Sequence, residues 1–155
     1  GRPEDAVSHL RHVVTTNPAH GEAHTRLGQL FATAAQAAAA VAHLRHALRI
    51  DPDALSALKS LAWMLAVHPE EKIRDGTEAV LHAQRALTLS GPTDAQALDV
   101  LAAAQAEAGR FADAVATAES ALAVLNDGAA ALVTTSIRPR RNPYRKNRPF
   151  RAAWK

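Results

Sequence analysis

The segment Ala6-Val7-Ser8-His9-Leu10-Arg11-His12 returns as Ala40-Val41-Ala42-His43-Leu44-Arg45-His46, with six of seven residues the same and an offset of 34. Pro18 and Pro52 share that offset. A period of this length with helical patterning marks a helix-turn-helix solenoid, whose units bury their apolar faces only against their neighbours. Composition agrees. Apolar residues make up 48% of the chain and aromatics only 4%. Much of the apolar share is alanine, the best helix former, which also lets helices approach closely. The expected fold is an all-α, right-handed α-solenoid.

Between the two copies stands His24-x2-Leu27-Gly28-x2-Phe31, followed by Ala40-x3-Leu44-x2-Ala47 and Pro52. This pattern resembles the tetratricopeptide repeat, in which small residues mark helix contacts and larger apolar ones fill the space between. His24 takes the usual tryptophan position, and Ala35 stands where a turn glycine is common. The run 33–42 is therefore open to fraying or to continuing as one helix.

The expected organisation has five parts. Residues 1–18 are the second helix of a truncated repeat, with Gly1 as its turn glycine and Pro3, Glu4 and Asp5 in its first turn. Residues 19–52 are a full repeat. Residues 53–91 form another, with Asp53 as helix cap and a five-residue insertion in the turn 68–76. There Asp75 and Glu78 have capping-box spacing. Residues 92–126 form the last repeat, with Gly109 as helix terminator. Residues 127–155 are an irregular basic cap or tail. The stretch from Leu61 through Leu122 is similar to a bacterial version of these repeats that closes larger proteins, some of them membrane glycosyltransferase-like. The resemblance implies a C-terminal segment of such a protein, and Gly1-Arg2-Pro3, with no methionine or signal-peptide pattern, reads as a start inside a longer array. No apolar run is long enough to cross a bilayer, so a soluble segment on the cytoplasmic or periplasmic side is expected.

The repeated histidines invite a metal-site reading. Zinc usually needs three or four converging ligands, and neither pair is accompanied by a glutamate in an HEXXH arrangement. The four histidines and the intervening Arg11 and Arg45 are expected to be solvated on second helices. The sequence has no cysteine, phosphate-binding loop or nucleophile elbow. No catalytic residue, metal or cofactor is expected, and the chain is read as no enzyme.

The resemblance implies a non-catalytic protein-protein interaction scaffold that binds a peptide or helix in a concave groove lined by first helices. Its exposed positions here are Glu22, Thr25, Gln29, Ser56, Lys59, Trp63, Gln96, Asp99 and Ala103. Trp63 suits either an aromatic anchor or packing against the adjacent repeat. Only Lys59 matches the basic residues with which some relatives grip a C-terminal carboxylate. Self-association through the repeat ends is a further expectation.

Charge divides the chain. From Arg138 to Lys155 there are eight basic residues and no acid, while the first 137 residues hold the other 10 basic residues against all 15 acids, a net of −5. The tail carries Arg138, Arg140, Arg141, Arg145, Lys146, Arg148 and Arg151, with Tyr144, Phe150 and Trp154 interleaved. Two uses fit it. Tyr144 and Phe150 suit capping the apolar end of the last repeat. The alternating aromatics and arginines suit nucleic acid or an anionic membrane, which makes a nucleic-acid-binding module the alternative function. Pro139 and Pro143 argue against a regular helix there.

Overall fold

The computed structural model describes residues 2–33, 36–127 and 137–153. Gly1, Ala35 and Trp154, each given a place in the sequence reading, lie outside them. The regular elements among the described residues are helices, in the order α1 (Pro3–Thr16), α2 (Gly21–Thr33), α3 (Ala37–Ile50), α4 (Leu55–Val67), α5 (Gly76–Ser90), α6 (Ala95–Glu107), α7 (Phe111–Asp127) and α8 (Arg141–Arg145). Short 3-10 turns occupy Glu71–Ile73 and Arg138–Arg140.

The helices pair as α2 with α3, α4 with α5, and α6 with α7. Each pair also meets the next, α3 on α4 and α5 on α6, while α4 touches both α2 and α6. The result is a solenoid of hairpins, with α2, α4 and α6 in one layer. The run 33–42 is not one helix, since α2 and α3 pack side by side.

Small residues set the approach of each pair. Ala40, Ala47, Ala79, Ala83, Ala86, Ala114, Ala118 and Ala121 on the second helices are all buried. Gly28 is tighter still: a Cβ there would stand 2.6 Å from Leu44 Cγ. Local chemistry fixes several starts. The Asp75 carboxylate accepts from the Glu78 N–H at 2.9 Å, and that of Asp94 accepts from the Ala97 N–H at 3.0 Å, each satisfying an orphan donor of the first turn. Gly109 sits at φ +75° between α6 and α7, in the left-handed region that glycine enters freely. Asp53 does not cap α4. The N-cap is Ala54, with no side-chain bond, because Asp51 closes the preceding turn by accepting the Asp53 N–H at 3.0 Å. Asp53 instead pairs with Arg85 at 2.6 Å.

The central helices α4 and α6 are apolar nearly all round, with Leu61, Met64, Leu65, Ala66 and Val67 buried on one and Leu98 through Ala106 on the other. A helix of that kind is covered on more than one face. Part of the cover is the C-terminal segment. Ile137 is buried with Ala95, Leu98, Ala121, Leu122 and Leu125. Tyr144 is fully buried in a slot walled by Ala102 and Ala106 of α6 and Ala114 and Ala118 of α7. The prolines do not prevent α8. Pro143 is its third residue, where a missing N–H is one of the first-turn donors that have no intrahelical partner.

The histidines correct the sequence reading. His9 and His12 are exposed, but His43 and His46 are half-buried against α2. His24 Nδ1 lies 2.9 Å from His43 Nδ1, and its ring stacks on His46 with centroids 4.1 Å apart. The tryptophan position of the repeat is thus filled by a histidine that takes histidine partners. Arg11 and Arg45 are engaged as well. The Arg11 guanidinium lies 5.5 Å from the Phe31 ring centroid, and Arg45 grips Glu78 at 3.0 and 2.6 Å through two nitrogens.

Burial, then the charges of His46 and His43, hold His24 below the ordinary histidine range; burial, His46 and Arg11 do the same to His43. The unfolded chain therefore binds more protons than the native one below about pH 6.5, so this contribution to stability is present above that pH and lost as it falls. Thermal unfolding should show wild type losing more of its melting temperature between pH 7.5 and 6 than a His24→Phe variant. Parallel pH profiles would refute this.

Candidate binding face

The layer α2/α4/α6 presents the positions expected to line a groove. Glu22, Ser56 and Gln96 are exposed, and Gln29, Lys59 and Trp63 are half-buried. Thr25 is not available. It is 6% exposed, and its hydroxyl donates to the Gly21 carbonyl at 3.1 Å. Asp99 and Ala103 are buried too, Asp99 beneath Arg140 of the C-terminal segment.

The face is laced from one hairpin to the next. Gln29 Nε2 donates to Ser60 Oγ at 3.2 Å, and Lys59 Nζ meets Asp94 at 2.5 Å. Burial raises the Asp94 carboxyl, but Lys59 and the Ala97 N–H outweigh it and hold the group below its usual range. With its ammonium on Asp94, Lys59 is already paired, and no carboxylate clamp is formed around it.

Between α4 and α6 lies a cavity of about 640 Å3, lined by Lys59, Ser60, Trp63, Gln96, Asp99, Val100, Ile137 and Arg140. Two of these come from the C-terminal segment. Arg140 forms a salt bridge with Asp99, and its guanidinium carbon lies 4.6 Å from the Trp63 ring centroid and 5.2 Å from that of Phe150. Burial pushes the Asp99 carboxyl up to about 6, against the pull of Arg140. Trp63 packs under Arg140 and Phe150 of the C-terminal segment, a contact the sequence did not suggest, and it also edges the cavity.

The other tail cations are also placed. Arg145 meets Glu119 at 2.6 Å with Arg141 at 3.8 Å, and Arg151 meets Glu107 at 2.6 Å. Arg138, Lys146 and Arg148 have no ion pair among the described residues, and the last two are fully on the surface beside Asn147. Sequence reasoning missed Glu107, Arg74 and Asp99 as the acceptors and supports of the tail. The signal was the acidic body set against a basic end, together with an α6 whose apolar residues run all round.

No group of three or more histidine or acidic side chains among the described residues is arranged to hold a metal ion, and no helix among them is long and apolar enough to cross a membrane.

Residues 1–63 match the family model described as tetratricopeptide repeat. No curated protein matches the chain. Among solved structures, "MamA RS-1 ArsTM double mutant" aligns with a TM-score of 0.69 at 18% identity, over 95% of this chain and 80% of that one. "Crystal structure of MamA protein" aligns with a TM-score of 0.68 at 17% identity, over 94% and 78%. At such identities the likeness is one of fold, and it extends well past residue 63. Residues 1–63 are thus similar to the tetratricopeptide repeat family, and the chain carries a helical-repeat solenoid fold along nearly its whole length.

Proposed function

We propose that this chain binds an extended or helical peptide of a partner protein on the α2/α4/α6 face, as a scaffold and without catalysing a reaction. At the coarser level the repeat family is one of protein-protein interaction modules. The observation that carries the finer reading is the cavity between α4 and α6. It is lined by Trp63, Val100 and Ile137, by Ser60 and Gln96, and by Lys59 and the Arg140–Asp99 pair. An aromatic and aliphatic lining beside polar and charge-paired side chains suits a buried side chain flanked by main-chain hydrogen bonds. Glu22, Gln29 and Ser56 extend the same face over α2 and the start of α4.

Gln96 is exposed, so Gln96→Trp fills the cavity mouth without disturbing the core. A partner protein recovered with the wild type should bind that variant at least tenfold more weakly, while the melting temperature stays within about 2 °C. Undiminished binding by a folded variant would place the partner elsewhere.

The nucleic-acid reading of the tail is less well supported. Of the seven named basic residues, Arg140, Arg141, Arg145 and Arg151 are already committed to carboxylates of the body. Phe150 lies on Trp63 and is not presented for stacking on bases.

A further inference from the structure

The C-terminal segment has two mechanically different parts. Residues 137–145 are rooted: Ile137 and Tyr144 are fully buried. Residues 146–153 are not. They turn at Asn147, a non-glycine residue at φ +51°, and run without regular structure to the C-terminal end of α4. Lys146, Asn147 and Arg148 are exposed, and Phe150, Arg151 and Ala152 are only half-buried.

Three subsites hold this arm. The Phe150 ring lies 6.3 Å from that of Trp63, on a shelf shared with the Arg140 guanidinium, which Asp99 pins in place. The second is acidic: Glu107 Oε1 accepts from Arg74 Nε at 2.8 Å, which leaves Oε2 to meet Arg151 at 2.6 Å. The third is a pair of carbonyls ending α4. Val67 accepts the Ala152 N–H at 3.0 Å, and Ala66 accepts from Arg151 at 3.4 Å. Last-turn carbonyls lack intrahelical partners and await a donor. Pro149 favours an extended backbone at Arg148 and so presents the next residues in a line.

We propose that the C-terminal edge of α4 and α6 is a receptor for an extended aromatic-arginine-small segment of a partner protein, and that Phe150-Arg151-Ala152 occupies it in cis as a displaceable competitor. The inference rests on reading the α2/α4/α6 face as a protein-binding surface and names the chemistry its covered end selects. Beyond the turn bonds that Lys146, Asn147 and Arg148 make to Pro143 and Tyr144, the contacts of Phe150-Arg151-Ala152 are of a kind an external peptide supplies equally: one ring, one guanidinium, one small side chain and one backbone N–H. A tethered ligand acts at high effective concentration, so the arm weakens any competitor for as long as it is seated.

The test uses a fluorescent peptide with the sequence of residues 146–153 and three forms of the full chain. Phe150→Ser/Arg151→Ala should bind it at least tenfold more tightly than wild type, because the competitor is unseated. Adding Glu107→Gln to that variant should remove the gain. Equal binding by the first two forms, or a gain that survives Glu107→Gln, overturns the proposal. A second measurement needs no variant. In wild type the Ala152 amide should exchange with solvent at least a hundredfold faster than that of Leu61, and equal protection would make the arm a fixed part of the fold. Wild type should also sediment as a monomer. A concentration-dependent dimer that the arm substitutions abolish would assign the arm to a second copy and overturn its seating in cis. Gln96→Trp keeps the two readings apart, since it blocks the cavity, which shares Trp63 and Arg140 with the Phe150 shelf, and leaves the Glu107 and α4-carbonyl subsites untouched. Loss of partner binding on Gln96→Trp with no peptide gain rejects the arm alone.

Discussion

Tyr144→Ala is expected to destabilise the fold by about 3–5 kcal/mol, the cost of emptying a buried aromatic site. At roughly 2–4 °C per kcal/mol for a chain of this size, the melting temperature should fall by about 10 °C. The slot explains the magnitude. Its buried walls are Ala102, Ala106, Ala114 and Ala118, side chains with no further rotamer, and only the partly buried Phe111, Val115 and Phe150 at its edge could shift toward the void. Tyr144→Phe should behave in the opposite way. The hydroxyl is buried with no hydrogen-bond partner among the described residues, and burial, followed by the charge of Asp99, pushes its pKa well above the usual phenol range. Removing an unpaired buried hydroxyl is neutral or stabilising, by about 1 kcal/mol. Urea denaturation of the two variants separates packing from polarity. An alanine variant as stable as wild type would mean that Tyr144 does not hold the end of the solenoid.

This contrast also shows what the sequence made legible. The 34-residue offset and the Leu27-Gly28-x2-Phe31 and Ala40-x3-Leu44 patterns carry the hairpin of α2 and α3, because each follows from a contact inside one repeat. Asp75 and Gly109 mark helix ends through local backbone chemistry. What stayed hidden depends on residues far apart. Arg140 meets Asp99 across 41 positions, and no periodicity records such a pair. A tail of arginines, prolines and aromatics has the same composition whether it meets phosphates or the chain's own acids. The recurring histidines make the point from the other side. His9 and His43 occupy equivalent places in a repeated motif, yet only His43 has a His24 to face, so the motif fixed their register and not their surroundings.

Gly76→Ala should be the most damaging single-atom change among the described glycines, at about 2–4 kcal/mol. A Cβ at Gly76 would stand 2.6 Å from the Ala108 nitrogen and 2.8 Å from both Ala108 Cα and the Glu107 carbonyl carbon. All three are backbone atoms, and no rotamer change relieves them. The start of α5 must move away from the end of α6, or α6 must unravel its last turn. Gly28→Ala gives the comparison. Its Cβ would meet Leu44 Cγ at 2.6 Å and Cδ2 at 2.9 Å, atoms of a side chain that has other rotamers, and the one backbone atom in reach, the Ala40 carbonyl oxygen, stands farther off at 3.1 Å, so a cost of about 1–2 kcal/mol is expected. Chemical denaturation should therefore rank Gly76→Ala below Gly28→Ala in stability, and the reverse order would show that the α5/α6 contact yields more easily than the α2/α3 one. The position of Gly76 gives the ranking a functional edge. The extra residues between α4 and α5 bring the chain back onto α6 beside Arg74, which holds Glu107 in place at 2.8 Å. Opening that contact displaces the carboxylate that seats Arg151, so Gly76→Ala should loosen the arm as well as the fold, with the Ala152 amide losing its remaining protection first.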